Sequence, residues 1–327
     1  MKKNIAIAAG GDSGEFDISM KSAAVVKRNL DSELYNAYIV RMKNGLWELI
    51  DEKGNAHQID RNDFSASPEG EKILFDCVFI AIHGTPGEDG RLLGYFDMLG
   101  IPYTSSGMVT SALTFNKYFT NNLVRSFGVR TAPSVLIHKN QRVDTEDIIR
   151  AIGLPVFVKP NMGGSSVGIT KVKDEKHLKA AIDRAFQEDE SVLVERFIKG
   201  REITCGVMKF NGKIIDLPIT EIVSKKEFFD YEAKYTPGVA DEITPALIPK
   251  YIELNCREKS LHLYKHLDCR GFVRFDYIFN DEDLFFLEVN TVPGLSENSI
   301  IPQQAQYVGI SLREMFSSVL EEAMNNE

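Results

Sequence analysis

Positions 5–9 are apolar without a break and stop at Gly10-Gly11, and positions 18–30 then return apolar side chains at helical spacing. A buried strand, a glycine turn and an amphipathic helix in that order open an α/β unit. Asn44-Gly45 and Gly54-Asn55 bracket residues 46–50, which predicts a β-ribbon. Residues 77–82 are wholly apolar again and run into "HGTPGEDG". Up to about residue 110 the pattern predicts one parallel-sheet domain whose loops at the strand C-termini face a ligand. By itself Gly10-Gly11 is better explained as a tight turn only.

Residues 154–172, "LPVFVKPNMGGSSVGITKV", read as a strand delivering Lys159, a Pro160 that ends its pairing, and a loop of Gly163, Gly164, Ser165, Ser166 and Gly168 before a strand over 169–172. Small residues let backbone N–H groups approach an anion, and the two hydroxyls add donors without bulk. No Gly-Lys-Ser/Thr closes the loop and a strand follows it, so it is no Walker loop. A hairpin with no ligand fits the same residues. Strand 192–194 then leads into Glu195-Arg196-Phe197-Ile198, with Gly200 and Glu202 beyond. Such a linker could stack a purine on an apolar wall and hold ribose hydroxyls with an acid, although Phe197 alone reads as plain core.

Residues 270–290 predict a hairpin that carries Arg274 and Asp276 out on one face and returns with Glu288 and Asn290 on one face. If Asp276 stands opposite Glu288, two carboxylates and an amide oxygen converge. At ~4 Å and an effective dielectric near 20, the carboxylates repel by about 4 kcal/mol, enough to call for a cation. All-oxygen ligands, few in number, suit magnesium shared with nucleotide phosphates. The apolar flanks of both strands speak against a wholly exposed hairpin.

Composition narrows the field. A chain of 327 residues suggests two or three domains, and 43% apolar with 26% charged residues suits a soluble globular protein. Lys+Arg of 38 against Asp+Glu of 47 gives a net charge of -9, which argues against nucleic acid and anionic membrane as partners. The apolar stretch after Lys2-Lys3 is shorter than the ~7–15 residues of a secretory core. No apolar run approaches the ~20 residues of a membrane span. Cys77, Cys205, Cys256 and Cys269 form no CxxC pair, which predicts a reducing cytoplasm. "GGDSGE" departs from GxGxxG and no acid closes a second strand, so a nicotinamide site loses its supports. His262 and His266 have zinc-compatible spacing but no further ligand nearby, and a helix surface is expected there. Residues 311–324 predict an amphipathic closing helix.

Taken in order, "GGDSGEFDIS", "HGTPGEDG", "GIPYTSSG", "VKPNMGGSSVGITKV", "FFDYEAKY", "RFD" and "LEVNTVPGLSENS" resemble the D-alanine–D-alanine ligases of the ATP-grasp superfamily, from Ile5 through Pro302. The resemblance implies an α/β (in part α+β) ATP-grasp fold: an N-terminal Rossmann-like substrate domain over 1–110, a central subdomain with the phosphate loop over 111–199, and a C-terminal subdomain with the metal and substrate site over 200–327. The last two would sandwich ATP.

The same resemblance implies roles. Lys117, Lys159 and, from the loop over 231–235, Lys234 would reach the ATP phosphates, covered by the loop that includes Gly163, Gly164 and Ser166. Glu195, Phe197 and Ile198 would line the adenine pocket, with Glu202 on the ribose. Asp276, Glu288 and Asn290 would hold two magnesium ions, with manganese a substitute. Glu15 would meet the first D-alanine's ammonium in a triad with Ser165 and Tyr235. Arg274 and the Gly294 N–H would bind the oxyanion, and Ser299 the second carboxylate. His83 lies near the first substrate with no proton-transfer role assigned. The implied activity is ATP-dependent synthesis of D-alanyl-D-alanine for peptidoglycan precursors through a D-alanyl phosphate, in a cytoplasmic homodimer.

Asn116, Phe16-Asp17 and Glu297 depart from the family pattern in local nucleotide and second-substrate contacts without removing a core ligand, and Phe229 replaces a frequent Tyr at the cost of a hydroxyl contact only. Two other readings stay open: ligation to D-lactate or D-serine, against which Tyr235 weighs, and a nucleotide-binding regulator without turnover, against which the complete set Arg274, Asp276, Glu288 and Asn290 weighs.

Overall fold

The computed structural model describes residues 2–164, 167–224, 240–280 and 283–325. Three sheets follow one another along the chain. The first joins β1 (Lys3–Gly10), β2 (Tyr35–Lys43), β3 (Leu46–Ile50), β4 (Ala56–Gln58) and β5 (Cys77–Ile80), in the order β4-β3-β2-β1-β5. The second joins β6 (Ser134–His138), β7 (Val156–Pro160), β8 (Thr170–Val172) and β9 (Ser191–Arg196), in the order β6-β9-β7-β8. The third runs β13-β12-β10-β14-β15, built from β10 (Arg201–Phe210), β12 (Thr220–Ser224), β13 (Ala240–Ile243), β14 (Phe272–Phe279) and β15 (Leu284–Asn290), with β11 (Lys213–Asp216) beside β10.

The first sheet is mixed rather than wholly parallel. β1 pairs in parallel with β2 and β5, while β3 and β4 return antiparallel. Asn44 and Gly45 both take positive φ, 49° and 78°, and so short a turn can bring a strand back only antiparallel. Residues 5–9 of β1 are an unbroken apolar run because both faces of the strand are covered there. Ile5 and Ile7 pack under α1 (Phe16–Asn29), and Ala6 and Ala8 under the aromatic cluster of Phe64, Phe75 and Phe96.

Helices α2 (Arg91–Leu99), α3 (Met108–Phe115) and α4 (Lys117–Ser126) follow, and the last two pack on β15. α5 (Thr145–Ile152) and α6 (Leu178–Ala185) close the core of the second sheet through Ile148, Ile152, Leu178 and Ile182. α7 (Lys250–His266) buries Ile252, Cys256, Leu263 and Tyr264 against the third. α8 (Ile300–Tyr307) and α9 (Leu312–Asn325) complete the chain, and α9, the expected closing helix, places Phe316 and Leu320 in the core under β1 and β5.

The glycine turn after β1 is under steric constraint. Gly10 has φ 101°, and a methyl there would lie 2.5 Å from the Met42 carbonyl oxygen. Gly10→Ala is therefore expected to destabilise the fold by about 2 kcal/mol or more, read as a lowered unfolding midpoint in urea. An unchanged midpoint would show that the turn relaxes freely.

Candidate functional site

A cavity of about 620 Å³ lies between the second and third sheets, and Lys117, Lys159, Gly163, Gly164, Glu195, Phe197, Ile198, Glu202 and Glu288 all line it. β7 and β9 explain much of that convergence. Phe157 stands opposite Glu195, and Lys159, two residues on and on the same face, lies diagonal to the acid. Lys159 Nζ donates to Glu195 Oε2 at 2.7 Å, with side chains only 8% and 6% exposed. Asn121 Nδ2, from α4, donates to the other carboxylate oxygen at 3.1 Å. The Glu195 carboxylate is thus committed to holding Lys159, and what it offers the cavity wall is its position beside Phe197. Pro160 ends pairing toward β8 only, since it still faces Val192 of β9. The ladder persists because proline lacks an N–H on one side alone.

Lys117 opens α4 and donates from Nζ to the Gly163 carbonyl at 2.5 Å, so two lysines frame the glycine loop. Asn116, one of the departures, caps the same helix by accepting from Phe119 N at 3.0 Å. Lys171 Nζ sits 3.5 Å above the Phe197 ring, and the Phe157 ring meets that ring at 5.7 Å. Asn121, Phe157 and Lys171 were not legible as site residues. The period-two pattern marks Phe157 and Lys171 only as strand residues, and nothing in the sequence of α4 singles out Asn121.

On the third sheet the expected register is present: Asp276 pairs with Glu288 and Arg274 with Asn290, with a bulge between Asp276 and Tyr277. Arg274 donates to both oxygens of Asp276, Nε to Oδ1 at 2.9 Å and Nη2 to Oδ2 at 2.8 Å, and Asn290 Nδ2 donates to Asp276 Oδ2 at 3.1 Å. Burial works against the Arg274 charge, but the carboxylates of Asp276, Glu288 and Glu242 outweigh it and hold the guanidinium well above its ordinary range. No group of three or more His, Cys, Asp or Glu residues suited to a metal occurs among the described residues. The donor set here is two carboxylates and an amide, which fits a hard dication that takes its remaining oxygens from phosphates.

The loops of the first sheet reach this hairpin. His83 Nδ1 lies 2.7 Å from the Val292 carbonyl, just past β15, and Val292 N donates to Glu88 Oε1 at 3.2 Å. Glu15 starts α1, and a methyl on Gly164 would stand 3.3 Å from its Oε2, so Glu15 reaches the glycine loop. A methyl on Gly294 would lie 2.9 Å from Ser299 Oγ, which itself shares a 2.7 Å hydrogen bond with Ser296 Oγ. Ser165, Ser166, Lys234, Tyr235 and Phe229 lie outside the described residues. Glu297, another departure, pairs with Arg28 at 2.5 Å in solvent. His262 and His266 stack at 3.9 Å between ring centroids beside Phe127, as a helix-surface pair.

Glu88 belongs to the quoted "HGTPGEDG" motif but carried no assignment. Burial pushes its carboxyl up to about 7 and the Glu15 charge adds to the rise, against hydrogen bonds from Gly84 N and Val292 N. Between the ordinary value near 4.5 and about 7 the native state binds the extra proton, so this group's contribution to stability falls as pH rises. The fall amounts to at most about 3 kcal/mol. His83, held below its ordinary value by burial, acts in the opposite sense as pH falls. Comparing unfolding midpoints of the native protein and Glu88→Gln from pH 5 to 8 isolates Glu88. The native protein should lose ground to the variant as pH rises, and a constant difference would contradict the assignment.

The "D-ala D-ala ligase N-terminus" family model matches residues 4–106, and the "D-ala D-ala ligase C-terminus" model matches residues 123–321. A D-alanine–D-alanine ligase of Phocaeicola vulgatus is 47% identical over 322 residues, 98% of this chain and 99% of that protein. One from Parabacteroides distasonis is 46% identical over 100% of this chain and 99% of that protein. Among solved structures, D-alanyl-alanine synthetase A of Vibrio cholerae superposes with a TM-score of 0.90 at 27% identity, covering 99% of each chain. A D-Ala:D-Ser ligase of Enterococcus faecalis gives 0.85 at 31% identity, covering 98% of this chain and 99% of that one. From its order of motifs, its hairpin register and these full-length likenesses, the chain belongs to the D-alanine–D-alanine ligase family and has the ATP-grasp fold.

Proposed function

We propose that this chain joins two D-alanines at the expense of ATP, through a D-alanyl phosphate, at the junction of the cavity and the β14–β15 hairpin. The observation that carries the reading is the pairing of Glu288, which lines the cavity, with Asp276, which is bound by Arg274. A carboxylate is a poor acyl acceptor for an amine, so transfer of the γ-phosphoryl onto the first D-alanine precedes amide formation. In this reading Lys117 and Lys159 bind and orient the phosphates, work that is almost entirely positioning and charge neutralisation.

Asp276, Glu288 and Asn290 would hold magnesium or manganese, which when bound would neutralise phosphate charge. Phe197 and Ile198 wall the base and Glu202 holds the ribose in this reading, which their shared place in the cavity lining supports. Glu15 receives the first ammonium. The second D-alanine then attacks through its neutral amine, and Arg274 with the Gly294 N–H stabilises the oxyanion, with Ser299 on the second carboxylate. Ser165, Ser166, Lys234 and Tyr235 keep their family-implied roles as part of the proposal, as do the three-domain division, the cytoplasmic location and the homodimer. Among the described residues no helix is long and apolar enough to cross a membrane.

Phosphate release from ATP with magnesium, measured with D-alanine, L-alanine and D-lactate singly and with D-alanine plus D-lactate, tests the reading. Release dependent on D-alanine supports it. Release indifferent to the amino acid contradicts it, and no release with any of them favours the regulator without turnover.

A further inference from the structure

Glu202, Asp276 and Glu288 each have a place in the scheme above, but a fourth acid on their side of the third sheet has none. Glu242 of β13 pairs with Ile222, Ile222 with Glu202, and Glu202 with Ile278 of β14. Directly opposed residues share a face, as do residues two apart on a strand. Glu242 therefore projects from the face that carries Arg274 and Asp276. The charges of Glu242 and Arg274 act on one another across that face. Glu242 Oε2 accepts from Gln303 Nε2 at 3.3 Å, and Gln303 lies on α8, the helix that begins directly after Ser299. Glu242 is thus linked to Arg274 on one side and, through Gln303 and its 2.6 Å bond to the Asn298 carbonyl, to the 294–299 segment on the other, the two partners to which the proposed function assigns the acceptor amino acid.

We infer that Glu242 receives the ammonium of the second amino acid, and so selects an amino-acid acceptor over a hydroxy acid. The inference rests on the proposed function. Amino acids reach the site as zwitterions. Arg274, the Gly294 N–H and Ser299 supply partners for anionic oxygens, and the ammonium needs an anion of its own. Asp276 is engaged by Arg274 and Asn290, Glu288 belongs to the cavity, and Glu15 serves the first ammonium. Among the described residues Glu242 is the carboxylate left on this face at the acceptor end. A hydroxy acid such as D-lactate has no ammonium and gains nothing from it.

The test measures both D-alanine KM values, the KM for ATP, and the dipeptide-to-depsipeptide ratio from D-alanine plus D-lactate, for the native protein and three variants. Glu242→Gln should raise the KM for the second D-alanine at least tenfold, leave the other two within about twofold, and shift products toward D-alanyl-D-lactate at least tenfold. Glu242→Asp, which keeps the charge, should retain most of the preference for D-alanine. Gln303→Leu, which removes the bonds of Gln303 to Glu242 and to the Asn298 carbonyl but keeps the Glu242 charge, should retain the native preference for D-alanine over D-lactate. An unchanged second KM in Glu242→Gln overturns the inference, as does a Gln303→Leu variant that reproduces its effects, which would reduce Glu242 to a strut. Absence of D-alanine-dependent phosphate release in the native protein is a separate result that removes the functional reading itself.

Discussion

Arg274→Met should lower kcat for dipeptide synthesis by about 10²- to 10³-fold, while the KM for ATP moves far less. Arg274 is 18% exposed and is held by two hydrogen bonds to Asp276, so its guanidinium is positioned before substrate arrives. A donor fixed in advance stabilises charge that appears only in the transition state, and its loss falls on kcat rather than on nucleotide binding. Arg274→Lys keeps the charge but cannot reproduce the fork, so its activity should fall between the two. Steady-state kinetics on the three proteins decide the matter. A tenfold rise in the KM for ATP with kcat intact would instead make Arg274 a scaffold for Asp276.

Lys159→Met should both destabilise the protein and weaken nucleotide binding. Lys159 and Glu195 are buried together, and only Asn121 would remain to satisfy the abandoned carboxylate. Breaking a buried pair from one side typically costs about 3–5 kcal/mol, because an uncompensated charge stays behind. Replacing both partners with residues of similar volume is far gentler. The double variant Lys159→Met/Glu195→Met should therefore regain most of the lost stability, by denaturant titration, without regaining ATP affinity, by calorimetry. If the double variant recovers ATP binding as well, Lys159 serves only as the partner of Glu195 and the phosphate assignment fails.

How much of this was legible follows from how far apart the cooperating residues lie. The β14–β15 hairpin could be read closely because Arg274, Asp276, Glu288 and Asn290 sit on adjacent strands, and a period of two fixes which face each takes. Lys159 and Glu195 were each singled out, yet their mutual bond was not. It depends on β7 and β9 becoming neighbours across the intervening α6. Asn121 was missed because its partner is 74 residues away and a lone asparagine in a helix has many uses. The mixed character of the first sheet was implicit in Asn44-Gly45, since the ribbon read there excludes a parallel return. Glu88 and Glu242 stayed silent for a different reason. An acid acquires unusual chemistry from what buries or faces it, and period and spacing carry none of that information.

The most direct test uses D-alanine labelled with ¹⁸O in its carboxylate, incubated with ATP and magnesium, with the dipeptide and the released phosphate both analysed by mass. If the first D-alanine becomes an acyl phosphate, its carboxylate oxygen bridges to phosphorus and leaves with the phosphate when the second amine attacks. D-alanyl-D-alanine should form together with one labelled oxygen in each phosphate released. Dipeptide accompanied by unlabelled phosphate, or labelled D-alanine recovered unchanged while ATP is hydrolysed, would contradict it.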